Sequence, residues 1–134
     1  MKTYAVPYRT LVGERYMLPL CEIDLLGPTE RIPLLALVDS GAWVSVFPKK
    51  AAEDAHLPLP AAPNDRVLFG GSVSHAWCME VNLELATWRW RAQVHFVERL
   101  AFRYALLGRN GVFARFNEVA FVEKAREPRV EFRG

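Results

Sequence analysis

The sequence reads as a single all-β domain with one or two short helices between its strands, and three stretches carry that reading. In Leu34 to Phe47, LLALVDSGAWVSVF, a run of apolar residues ends at an acid, Asp39, which opens a Ser40-Gly41-Ala42 turn. From Trp88 to Val97, WRWRAQVHFV, apolar and polar residues alternate strictly, the period-two pattern of a strand with two unlike faces. Between them, VLF and SHAWCMEVNLEL flank Gly70-Gly71-Ser72, which is the pattern of a hairpin.

Composition bounds the rest. At 134 residues the chain makes one domain, 1–134, able to bury roughly two-thirds of its unfolded surface without disulfide or metal staples. Hydrophobic residues make up 51% and charged residues 24%, which is globular, and no apolar run approaches the about 20 residues that cross a bilayer, so no membrane partner is expected. The stretch MKTYAVPYRT lacks the apolar centre of a secretory signal, so a cytoplasmic location is expected. Cys21 and Cys78 lie in strand-like surroundings and are expected as reduced thiols. His75-x-x-Cys78 has no second pair to complete a tetrahedral set, so neither a metal nor another cofactor is expected. The net charge of +2, with Lys and Arg scattered among Asp and Glu, argues against nucleic acid.

In chain order, YAVPYRTLV and RYMLPLCEID read as two strands joined at Gly13-Glu14, with Pro7 and Pro19 at edges or bulges because each lacks a backbone donor. Gly27-Pro28 turns the chain into the strand that ends at Asp39. Pro48 presets the first φ of a short helix, Pro48 to Leu57, with His56 on the surface near its end. The proline-rich LPLPAAPND that follows is a surface loop. In WRWRAQVHFV, Trp88, Trp90, Ala92, Val94 and Phe96 face inward, while Arg89, Arg91, Gln93 and His95 point the other way, with the arginines in water across from Glu80 and Glu84 on the neighbouring strand. That is a plainer reading than aromatic stacking on single-stranded nucleic acid. Phe102 to Leu107 reads as a strand ended by Gly108, Asn110 as the cap of a helix from Gly111 to Phe116, and VAFVE and RVEF as closing strands.

A carboxylate at the end of a buried strand is costly unless paired or hydrogen-bonded, so packing alone does not ask for Asp39. Asp-Ser-Gly by itself is a common turn. Its context is more specific: Asp39, Ser40, Gly41, Ala42 and Ser45 resemble the active-site loop of retropepsin-like aspartic peptidases, the single-domain relatives of retroviral proteases. Far downstream, Leu106, Leu107, Gly108, Arg109 and Asn110 resemble the apolar-apolar-Gly-Arg-Asn segment that crosses behind that loop in the same family. The resemblance spans roughly Pro19 to Phe121 and implies a closed six-stranded barrel with a flap hairpin over the site.

What the resemblance implies for function is an aspartic endopeptidase. Its chemistry needs two carboxyl groups around one water, one ionised and one protonated. The chain offers one acid in an Asp-Ser-Gly setting, so the mechanism requires a homodimer that brings Asp39 against Asp39 of a second copy. Ser40 would hydrogen-bond across the two-fold, Gly41 would offer its carbonyl to the substrate backbone, and Gly70 and Gly71 would close from the flap over an extended polypeptide substrate. Gly108, Arg109 and Asn110 would support the loop. Retroviral members carry acids after the Asp-Ser/Thr-Gly-Ala tetrad, one of them paired with the arginine. Here those positions are Trp43 and Val44, so Arg109 is expected on backbone carbonyls, and Trp43 forms an apolar wall toward substrate. The rival reading is a catalytically weak or inactive module of the same fold that dimerises or binds peptides. Retention of Asp39, Ser40 and Gly41 favours the enzyme over it, and over an unrelated barrel in which the tripeptide is only a turn.

Overall fold

A computed structural model describes residues 2–69, 71–100 and 102–134. Its strands are β1 (Thr3–Pro7), β2 (Leu20–Leu26), β3 (Arg31–Val38), β4 (Val46–Pro48), β5 (Asp65–Phe69), β6 (Ser72–Leu85), β7 (Trp88–Val97), β8 (Ala105–Leu107), β9 (Glu118–Val122) and β10 (Arg129–Arg133). A helix, α1 (Lys49–Asp54), follows β4, and a single 3₁₀ turn spans Phe113–Arg115. No helix among the described residues is long and apolar enough to cross a membrane.

The strands form a closed mixed barrel in the order β2-β3-β8-β4-β7-β6, in which β6 returns to pair with β2 at Asp24↔Glu84, Leu25↔Leu83 and Leu26↔Asn82. The length of β6, 14 residues, makes this closure possible. Its first part pairs with β5, which lies outside the barrel, and its last part reaches β2, while β7 runs alongside it from Ala76 to Leu85. Alternation along these strands sets their faces. Val81, Leu83 and Leu85 on β6 and Trp88, Ala92, Val94 and Phe96 on β7 are buried, each large side chain contributing about 1.5–3 kcal/mol by leaving water. On the outer face Arg89 pairs with Glu84 and Arg91 with Glu80, both at 2.8 Å, as the alternation predicts.

A second sheet, β1-β10-β9, packs on the barrel. Phe116 is the hinge of that packing. Its ring lies 5.0 Å from Trp88 and 5.6 Å from Trp90 in edge-on contacts, and 5.2 Å from Phe132 of β10.

Several elements differ from the sequence expectation. The strand YAVPYRTLV does not pair with the one that follows it: β1 pairs with β10, where Tyr4 stacks on Phe132, and only an isolated bridge, Arg9 to Leu18, remains of the expected hairpin. Tyr16 and Met17, placed in that strand by alternation, are exposed, because local pattern cannot choose a partner more than a hundred residues away. The helix starts one residue later than Pro48, whose ψ of 140° leaves it extended before the first turn. It ends in a Schellman closure, His56 N–H to Glu53 O and Leu57 N–H to Ala52 O, with His56 exposed at φ 57°. The strand before Gly108 is only Ala105–Leu107. The helix expected from Gly111 to Phe116 is the 3₁₀ turn, and Asn110 does not cap it; its side-chain amide instead reaches Gln93 Oε1 at 3.4 Å.

Candidate active site

Asp39 follows β3 directly, and its loop is bonded along its length to the chain leaving β8. Asp39 N–H donates to Leu107 O at 3.0 Å, Arg109 N–H to Ala42 O at 2.9 Å, and Asn110 N–H to Trp43 O at 2.8 Å. These bonds continue the parallel pairing of β3 with β8, in which Val38 faces Leu107. Ser45, fully buried, locks the two segments: its Oγ accepts from Gly108 N–H at 2.9 Å and donates to Asn110 O at 3.3 Å. The two backbones meet so closely that a Cβ on Gly108 would lie 2.2 Å from Val44 O. Gly111, at φ 91°, is fixed in turn by its carbonyl, which accepts from Trp90 Nε1 at 2.7 Å. Gly108 and Asn110 thus meet the Asp39 loop through backbone contacts.

The Asp39 carboxylate is half-buried, and its Oδ1 accepts from Gly41 N–H at 2.9 Å. That bond satisfies one oxygen within the turn and orients the group without neutralising it. None of the ion pairs among the described residues involves Asp39. Ser40 and Gly41 are exposed beside it, and Ala42 is half-buried.

Two cavities flank the loop. One, of about 540 Å³, lies between Gly41, Ala42 and Trp43 on one side and Asp65 and Leu68 of β5 and His95 of β7 on the other. The second, of about 380 Å³, is bounded by Trp43, Arg109, Asn110 and Phe113. Trp43 stands between them, 67% exposed. Arg109 is not on backbone carbonyls as the sequence suggested: its guanidinium lies over the Trp43 ring, 5.5 Å from the centroid, so the indole face takes the place a carboxylate would hold.

The β5–β6 hairpin turns through two residues, with Phe69 paired to Ser72. Gly71 adopts φ 81°, a conformation a side chain resists. Gly70 lies outside the described residues. Below the tip, Leu68 and Val73 face each other across the ladder and are 74% and 65% exposed, an uncovered apolar pair on the hairpin that borders the cleft.

Sequence reasoning missed His95 and Asp65. His95 falls on the polar side of β7 by alternation, yet it is only 4% exposed, because the hairpin base and β4 cover that end of the strand. His95 Nε2 bonds Asp65 Oδ2 at 2.9 Å. That bond and the Arg66 N–H hold the Asp65 carboxyl below its usual range. The signal available in sequence was the change from Arg89 and Arg91 to a histidine flanked by Val94 and Phe96, a polar face ending in less polar company.

Comparisons with protein-family models and with curated proteins give no match. Solved structures do match. A retropepsin-like aspartic protease from Rickettsia conorii superposes with a TM-score of 0.63 at 13% identity, over 98% of this chain and 91% of that one. The EIAV protease complexed with the inhibitor HBY-793 superposes with a TM-score of 0.55 at 16% identity, over 75% of this chain and 88% of that one. With its closed mixed barrel and these structural neighbours, the chain has a retropepsin-like fold.

Proposed function

We propose that the chain is an aspartic endopeptidase that acts as a homodimer, each subunit giving Asp39 to one dyad. The observation that carries this reading is the setting of Asp39: a half-buried carboxylate at the end of a barrel strand, oriented by Gly41 N–H, free of any ion pair among the described residues, in a loop fixed by Ser45 and Gly108. Structure of that kind is not needed to support a turn. The fold is the one its aspartic-protease neighbours use.

In the dimer, two such carboxyls around one water share a proton, because like charges that close resist ionising together; this is general behaviour of aspartic-protease dyads. The ionised Asp39 takes the water's proton as oxygen attacks the scissile carbonyl, and the protonated partner donates to the carbonyl oxygen. Substrate lies extended under the hairpin, its main chain bonded in strand fashion, its side chains in the cavities beside Trp43. With Trp43 and Leu68 on the walls, apolar substrate side chains are preferred; a cleavage-site library showing charged residues favoured at every subsite would contradict this.

The test is digestion of a denatured protein mixture between about pH 4 and 6, where a shared-proton dyad functions, by wild type and by Asp39→Asn. Cleavage by the wild type alone, with both proteins dimeric by ultracentrifugation, supports the reading. Equal cleavage by both means a contaminant, and no cleavage by a dimeric wild type favours a binding module.

A further inference from the structure

We propose that Asp65, Cys78 and His95 form a zinc site at the base of the β5–β6 hairpin. Their ligand atoms, a carboxylate oxygen, the thiol sulfur and an imidazole nitrogen, all lie within 4.8 Å of one another. Three strands bring them together. Cys78 on β6 is the direct cross-strand partner of His95 on β7, so their side chains share a face. Asp65 opens β5 opposite Ala76, which sets it diagonal to Cys78 on that same face. Asn64 fixes the register there, accepting from Cys78 N–H at 2.7 Å and donating to Cys78 O at 3.0 Å.

The hydrogen bond between His95 and Asp65 does not by itself account for this cluster. His95 is only 4% exposed, and its Nδ1 has no hydrogen-bond partner among the described residues, a cost the fold bears for a ring that an apolar residue could replace. A thiol beside that ring adds nothing to the hydrogen bond, but it completes a donor set. Thiolate, imidazole and carboxylate together suit zinc, whereas calcium and magnesium take oxygen ligands. Tetrahedral zinc with bonds of about 2.0–2.3 Å holds its ligands about 3.3–3.7 Å apart. Closing to that spacing needs rotation of Cys78 and Asp65, neither of which is fully buried. On binding, the thiol proton leaves to solvent and sulfur bonds the ion. Three protein ligands leave a fourth position for water or another donor, and two of the three, Asp65 and His95, also line the cleft shared with Gly41 and Trp43. The ion would tie the outer hairpin strand to the barrel wall. Chain spacing conceals the site, because its ligands come from separate strands and not from a paired motif.

The experiment titrates the metal-free full chain with cobalt(II) and then zinc, and it reads binding whether or not the chain hydrolyses peptides. One equivalent of cobalt should give a thiolate-to-metal charge-transfer band in the near ultraviolet that zinc abolishes. Cys78→Ser should remove the band. Asp65→Asn and His95→Gln should weaken zinc by at least tenfold, since even a partner outside the ligand set costs about 10- to 100-fold. His75→Ala, at an exposed residue three positions before Cys78, should change nothing. Should His95→Gln fail to fold, Cys78→Ser and Asp65→Asn, at less buried positions and checked by circular dichroism, still decide. Absence of the band in the wild type, its survival in Cys78→Ser, or its loss in His75→Ala would overturn the proposal.

Discussion

The guanidinium of Arg109 lies over the ring of Trp43, 5.5 Å from its centroid, and joins the loop that carries Asp39 to the segment that crosses behind it. An indole face attracts a cation less strongly than a carboxylate but needs no second charge. At an exposed site the contact is worth about 0.5–1 kcal/mol. Trp43→Ala should therefore lower the melting temperature by a few degrees. Trp43→Asp, which offers Arg109 an ion pair, should recover part of that loss, and thermal unfolding of the three proteins compares them. Equal destabilisation by both substitutions would show that Arg109 gains nothing from its partner.

Two glycines separate close approach from conformation. A Cβ on Gly108 meets Val44 backbone oxygen at 2.2 Å, so Gly108→Ala must push apart the segments that Ser45 locks, at a cost of about 1–3 kcal/mol or more. Gly71 has open space around it and only its φ of 81° to resist a side chain, so Gly71→Ala should cost about 1–2 kcal/mol at most. Urea unfolding ranks them, and only Gly108→Ala should also disturb the Asp39 loop, seen as altered amide exchange at Asp39 and Ala42.

Barrel closure carries a pH dependence. Arg31 bridges Asp24 of β2 and Glu84 of β6, and Arg89 adds a second contact to Glu84. The hydrogen bonds from Arg31 and then Arg89 hold the Glu84 carboxyl below its ordinary value. A folded-state pKa that is depressed gives stability that is complete above the unfolded value, about 4.3, and is lost as pH falls through the lower folded one. The stability difference between wild type and Glu84→Gln should be constant near neutrality and shrink below about pH 4. Because the cluster is on the surface, added salt should reduce the difference. Urea midpoints across pH and salt measure both effects.

The two thiols should behave differently. Burial pushes the Cys21 thiol up to about 12, while Cys78 is only half-buried. Thiol titration of the metal-free native protein at neutral pH should modify Cys78 alone, with Cys21 reacting after denaturation, as mass spectrometry of the labelled peptides would establish. Rapid labelling of Cys21 in the folded protein would contradict its burial on the core face of β2.

Much of this fold was legible in its sequence because local pattern and local structure coincide. Alternation from Trp88 to Phe96 sets the β7 faces, the paired glycines mark the hairpin, and the segments at Asp39 and Gly108 are hydrogen-bonded to each other. What stayed hidden depends on partners distant in the chain. Nothing near Tyr4 announces Phe132, the less polar company of His95 in WRWRAQVHFV does not say that the hairpin base covers it, and the exchange of an acid for Trp43 does not reveal that Arg109 settles on its ring. Ser45 was visible in the motif, but its bond to Gly108 N–H, which explains why a hydroxyl belongs there, exists only once two distant segments meet.

The proposed half-site is tested most directly by mixing subunits. Wild type and Asp39→Asn are combined in increasing proportion under conditions that let subunits exchange, and peptide cleavage is followed at constant total protein. If one carboxyl from each subunit is needed, activity falls with the square of the wild-type fraction, leaving about a quarter in an equal mixture. If each subunit works alone, the fall is linear and about half remains. A linear fall in a mixture shown to contain mixed dimers contradicts the shared dyad.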